Sequence, residues 1–168
     1  GRMAQKLSVD DEKQPIVRFA ALLHDIGHGP FSHVSEDLLE KYYDRKRVHP
    51  KSREKIHELL TCQIIKSNKE LSRIPFDREK VAGLISGKLD EPSIRGIISG
   101  PLDADKLDYL LRDSYFCGVK YGIYDIDRLI GILHPHKEAS GDTILAATYD
   151  GVYAIEQYII AKYHLSTQ

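Results

Sequence analysis

Apolar residues spaced three and four apart dominate this chain, and that interval is the repeat of a helix face rather than of a strand. Pro15 suits the first turn of a helix reaching about residue 26, with Val17, Ala20, Ala21 and Leu22 as its buried stripe and Gly27 at its stop. Pro30 opens a second helix carrying Phe31, Val34, Leu38 and Leu39, which fades into the charged run KYYDRKRVHPK, read as a solvated loop. Ser52 is expected to cap a third, whose core face is Ile56, Leu59, Leu60 and Ile64. Asp77, Asp103 and Asp125 cap later helices, and Gly87 and Gly118 close the first two of these. The short segment PSIRGIIS lies between them, and on the Asp103 helix Ala104, Leu107, Leu110 and Leu111 face inward. DTILAATYDG has β-type residues and an Asp-Gly turn, so a small hairpin is expected near residues 142–152, followed by a last helix from about Val152. The expected fold class is all-α, with at most that one strand pair.

Composition narrows the function classes. The chain has 168 residues and is 42% hydrophobic, enough for one ordinary domain with a core. Lysine and arginine number 24 against 25 aspartates and glutamates, so no strong field exists to hold a nucleic-acid backbone, and nucleic acid is not the expected partner. Cys62 and Cys117 are far apart and form no CxxC pair, which argues against a disulfide framework or a zinc ribbon and for a reducing, cytoplasmic setting. No apolar run approaches a membrane span. GRMAQKL reads as the inside of an amphipathic helix with no cap before it, and IIAKYHLSTQ also stops within helical patterning. A piece of a longer protein is expected.

The chemistry concentrates in FAALLHDIGHGPFSH, where an apolar helix ends in His24 and Asp25 and places His28 and His33 among glycines and a proline. Adjacent residues are about 100° apart on a helix, so both members of the doublet can turn to one ion beside the helix end. Burying two such groups without a partner costs about several kcal/mol, which calls for a cation or a tight network. Imidazole and carboxylate donors suit divalent zinc, iron or manganese. A second cluster is GPLDADKLDYLLRD: Asp105 and Tyr109 share one face, and Lys106, Tyr109 and Asp113 form an adjoining stripe. Carboxylates, a cation and a phenol in that pattern suit a metal-bound phosphate ester with a sugar attached. His57 beside Glu58 is a candidate proton carrier. Simpler readings stand beside these: Asp103 as a cap alone, Lys106 and Arg112 as solvated cations, and His33 with Glu36 as a helix pair one turn apart.

LLHDIGHGPFSH, followed by GPLDADKLDYLLRDS and GVKYGIYDIDRLI, resembles the HD-domain metal-dependent phosphohydrolases, and within them the deoxynucleoside triphosphate triphosphohydrolase branch. The resemblance runs in order along nearly the whole chain. It implies a helical HD-domain bundle over residues 1–168 and a divalent metal (Mn, Fe, Zn or Mg) held by His24, Asp25 and Asp105. It places His28 by the phosphates, with His33 joined by Glu36, and makes His57 an acid or base with Glu58 beside it. Lys106 would meet a phosphate, and Tyr109 and Asp113 the sugar hydroxyl. In that family a further metal histidine sits in a His-Ser element just ahead of a helix shaped like GRMAQKL. The chain is therefore expected to be cut after that element and before the C-terminal region that shapes the base pocket and the oligomer.

The resemblance implies metal-assisted hydrolysis of a deoxynucleoside triphosphate to a deoxynucleoside and triphosphate, by a protein that is a homo-oligomer at full length. Two alternatives stay open: an HD phosphohydrolase or phosphodiesterase acting on another nucleotide, and a non-catalytic nucleotide-binding regulatory domain.

Overall fold

A computed structural model of the chain describes residues 1–42, 55–89 and 92–167, with the side chains of His33, Leu39, Glu40 and Pro92 outside that description. In chain order its helices are α1 (Arg2–Lys6), α2 (Gln14–Leu23), α3 (His33–Tyr42), α4 (Ile56–Ser67), α5 (Arg78–Ile85), α6 (Pro92–Ile98), α7 (Ala104–Cys117) and α8 (Ile126–Ile132). Strands β1 (Leu133–Lys137) and β2 (Thr143–Ala147) follow, and α9 (Val152–Ser166) ends the series. The expected all-α class with a minor strand pair is what forms. The chain divides into two compact units, residues 15–90 and residues 1–14 with 91–168.

In residues 15–90, Val17, Ala20 and Leu23 of α2 enter the core, while Leu22 is 76% exposed. Val17 and Ala20 are buried as expected and Ala21 is half-buried, but Leu23 takes the place expected of Leu22, and α2 stops at Leu23, where residues 24–27 are turns, closed by Ile26 N–H to Leu23 O at 3.2 Å and His28 N–H to Asp25 O at 3.0 Å. Ile56, Leu59 and Ile65 of α4 are buried with Val81, Ala82 and Leu84 of α5, and Leu60 and Ile64 are half-buried. Phe19 stacks on Phe76 with ring centres 4.4 Å apart. Asp77 caps α5 as expected, accepting from Lys80 N–H at 3.0 Å. Ser52 and the rest of the charged run after residue 42 lie outside the described residues. The helix Ser52 was expected to cap begins only at Ile56, and the preceding Lys55 has no capping side chain.

In the other unit, α7 is fixed at both ends. Asp103 is its cap, and Gly118 closes it in the left-handed conformation at φ +68°. Leu107 and Leu110 are buried, Ala104 and Leu111 half-buried. Gly122 N–H donates to Ser114 Oγ at 2.8 Å, and Tyr124 Oη donates to Leu107 O at 2.6 Å. Asp125 caps α8 through Arg128 N–H at 2.8 Å. The strand pair corrects the expected hairpin. β1 and β2 are antiparallel with Leu133 opposite Ala147 and Lys137 opposite Thr143, so the connection is residues 138–142 rather than Asp150-Gly151, which lie in a short 3-10 turn. Leu133 follows α8 directly and begins the strand.

Candidate metal centre and active site

The turns after α2 are built around Thr61 of α4. Its hydroxyl donates to His24 O at 3.0 Å and accepts Gly27 N–H at 2.9 Å, so a single buried side chain clasps both sides of the His-Asp turn. Gly27 is there for closeness. A Cβ at that position would lie 2.3 Å from His57 O and 2.4 Å from Thr61 N, both backbone atoms. His24 Nδ1 hydrogen-bonds Ala21 O at 3.0 Å, which fixes that nitrogen as the donor and turns Nε2 toward Asp25 Oδ1, 3.4 Å away. The next residues are strained: Phe31 and Ser32, neither a glycine, have φ of +65° and +44°. Such backbone costs energy and concentrates where geometry serves function.

His57 is held from outside its own helix. Glu36 of α3 accepts Ile56 N–H at 2.8 Å with one carboxylate oxygen and meets His57 Nδ1 at 2.8 Å with the other. The first bond satisfies an amide that the uncapped start of α4 would otherwise leave open. The second makes Nδ1 the donor, because an ionised carboxylate only accepts, and leaves Nε2 as the basic nitrogen. Burial pushes the Glu36 carboxyl up, but the hydrogen bond and charge of His57, with the Ile56 and His57 amides, outweigh it and hold it below the ordinary range. Glu36 thus pairs with His57; the side chain of His33, its expected partner, lies outside the described residues. Glu58 is half-buried on the same helix.

His28 stacks face to face on His57, with ring centres 3.9 Å apart and planes 19° apart, and its Nε2 is 3.5 Å from Asp25 Oδ1. Among the described residues, Asp25, His28 and His57 each offer a ligand atom within 4.8 Å of the others. Nitrogen and carboxylate oxygen converging at that spacing fit a divalent cation of the zinc, iron or manganese type.

The second cluster lies on α7, in the other unit. Asp103 accepts Lys106 N–H at 2.9 Å and Gly100 N–H at 3.1 Å, and the Lys106 ammonium bonds both the Asp103 carboxylate and Gly100 O, the latter at 3.0 Å. Asp103 is therefore the cap it was read as, and it also aims Lys106. Asp105, Tyr109 and Asp113 are half-buried and four residues apart, one row along the helix. Burial raises the Tyr109 phenol; Lys106 pulls it down, and Asp105, Asp103 and Asp113 push it up, for a net rise. Arg112 pairs with Asp108 at 2.9 Å, away from that row.

A helical scaffold gathers histidines and an aspartate at a turn, with a carboxylate-held histidine beside them, a donor set that could hold a divalent metal. The HD domain matches residues 1–115. An uncharacterized protein of Bacillus subtilis, YwfO, is 32% identical over 164 residues, covering 95% of this chain and 34% of its own. The deoxynucleoside triphosphate triphosphohydrolase SAMHD1 homolog of Dictyostelium discoideum is 33% identical over 135 residues, 74% of this chain and 25% of its own. A crystal structure of a phosphohydrolase from Bacteroides thetaiotaomicron superposes with a TM-score of 0.69 at 30% identity, over 96% of this chain and 37% of that one. The chain belongs to the HD-domain family. It spans between a quarter and just over a third of the length of these relatives, and no described helix is long and apolar enough to cross a membrane.

Two contributors escaped sequence reasoning. Thr61 could have been found as a lone polar residue four after His57 on a core stripe. The Glu36–His57 pair could not, since 21 residues separate the partners.

Proposed function

We propose that this chain is the catalytic part of a metal-dependent phosphohydrolase that splits a deoxynucleoside triphosphate into a deoxynucleoside and intact triphosphate. The observation that carries the reading is the Glu36–His57 pair, a proton-handling unit stacked on His28, which in turn lies beside Asp25 of the His-Asp turn. The resemblance of the two motifs to that branch, and the likeness to the Dictyostelium triphosphohydrolase homolog, support the substrate class.

In this reading His24, Asp25 and Asp105 are the ligands of a divalent cation. When bound, that cation draws charge from a phosphate oxygen and lowers the pKa of water. His28 binds the phosphates, supported by its stack on His57. Water oxygen bonds to phosphorus as the bond from phosphorus to the 5′ oxygen breaks. His57, carrying a proton on Nε2 with the imidazolium charge balanced by Glu36 through Nδ1, delivers that proton to the departing oxygen and becomes neutral, while the proton released by the attacking water passes to solvent. His33 shares the phosphate side of the site and Glu58 stands beside His57. Lys106, aimed by Asp103, meets a phosphate, while Tyr109 and Asp113 meet the sugar hydroxyl.

The test is turnover of the four deoxynucleoside triphosphates with Mn²⁺, read by anion-exchange chromatography. Release of a deoxynucleoside with intact triphosphate is expected. Orthophosphate or pyrophosphate as the product, or turnover of another nucleotide alone, refutes the substrate assignment. Nucleotide binding without turnover supports a regulatory domain instead.

A further inference from the structure

His24, Asp25 and His28 hang from one short turn, and little apolar burial fixes it. Ile26, the large apolar side chain within the turn, is 43% exposed, and the Asp25 side chain also reaches solvent. The turn therefore takes its position from polar bonds, and Thr61 of α4 supplies two of them from outside. Its hydroxyl donates to His24 O at 3.0 Å, where the turn starts, and accepts from Gly27 N–H at 2.9 Å, one residue before His28. Thr61 is fully buried, so water does not compete for either bond.

The same helix carries His57 one turn earlier, and residues four apart share a helix face. The clasp thus also sets the spacing between the turn and His57. The approach is close: a Cβ on Gly27 would meet His57 O at 2.3 Å, and the His28 and His57 rings stack with centres 3.9 Å apart. We infer that Thr61 is a positioning residue of the metal and phosphate site, its hydroxyl holding the His-Asp turn in register with His57. Without that hydroxyl, the His24 carbonyl and the Gly27 amide lose a buried partner, and leaving such groups unpaired is costly. The turn then shifts toward water to satisfy them, and His24 and Asp25 lose their common aim. This role presupposes the proposed metal reading of the turn, whichever nucleotide is the substrate. Groups that orient metal ligands from one bond further out are worth roughly 10–100-fold in metal affinity.

The experiment compares wild type with Thr61→Val and Thr61→Ala, which lack the hydroxyl at two sizes, and with Thr61→Ser, which keeps it. Asp77→Ala removes the cap of α5 and controls for a loss of stability alone. Circular dichroism checks that each protein is folded, electron paramagnetic resonance reads Mn²⁺ affinity, and NMR follows exchange of the Gly27 amide in metal-free protein. Thr61→Val and Thr61→Ala should bind Mn²⁺ roughly tenfold or more weakly and lose protection at Gly27. Thr61→Ser and Asp77→Ala should bind it as wild type does. Wild-type Mn²⁺ affinity or Gly27 protection in the hydroxyl-free variants, no recovery in Thr61→Ser, or an equal loss in Asp77→Ala overturns the proposal. A wild-type protein that binds no Mn²⁺ refutes the metal reading itself, and the role of Thr61 falls with it.

Discussion

Gly27→Ala tests the geometry of the His-Asp turn with one methyl group. Its Cβ would stand 2.3 Å from His57 O, 2.4 Å from Thr61 N and 2.7 Å from Thr61 Oγ1. Two of these are helix backbone, so no side-chain rotation relieves the overlap, and either α4 or the turn must shift. Overpacking of this kind costs about 1–3 kcal/mol. The shift also loosens the bonds from Gly27 N–H to Thr61 Oγ and from Thr61 Oγ to His24 O, each worth about 1 kcal/mol. The loss is about 3 kcal/mol, a large share of a domain stability of roughly 5–15 kcal/mol. For a chain of this size it lowers Tm by about 6–12 °C. Urea unfolding followed by circular dichroism measures it, with the slope compared to confirm that stability alone has changed. A Gly27→Ala protein within about 0.5 kcal/mol of wild type would mean that the turn does not press on α4, and the reasoning would fail.

Three further outcomes follow from the same contacts. Glu36 has a folded pKa below its ordinary value near 4.5, so its contribution is whole above that pH and is lost as pH falls through the lower folded value. Glu36→Gln should therefore show a shallower acid limb in a stability–pH curve over that window, with lower stability at neutral pH. His57→Ala should cut kcat by about 10²–10⁴-fold while nucleotide binding persists, as single-turnover assays would show. Asp103→Ala removes the cap of α7 and the tether of Lys106 together, and should cost about 1–2 kcal/mol in urea unfolding.

The legible parts of this protein were the local ones. Asp77, Asp103 and Asp125 cap their helices because a short carboxylate reaches an amide three residues on, a distance the sequence states directly. Gly118 follows from its left-handed backbone. Leu22 was misplaced because LL offers two equivalent stripes, and only packing decides that Leu23 enters the core. The start of α4 was misread because its capping group, Glu36, comes from another helix. The hairpin was shifted because IDRLIGILHPHK carries one apolar run across a helix-to-strand break at Leu133, and nothing local marks that point. The site follows the same division. His24, Asp25 and His28 could be read as neighbours along the chain, whereas the His28–His57 stack and the Glu36–His57 pair depend on helices meeting.

Under the proposed function, the His-Asp doublet and the aspartate of α7 are ligands of one cation. Mn²⁺ binding followed by electron paramagnetic resonance reads that ion directly, and Mn²⁺ suits oxygen-rich ligand sets. Wild-type protein should bind one ion that both Asp25→Asn and Asp105→Asn weaken at least tenfold, with each variant folded. Undiminished Mn²⁺ affinity in Asp105→Asn would contradict it.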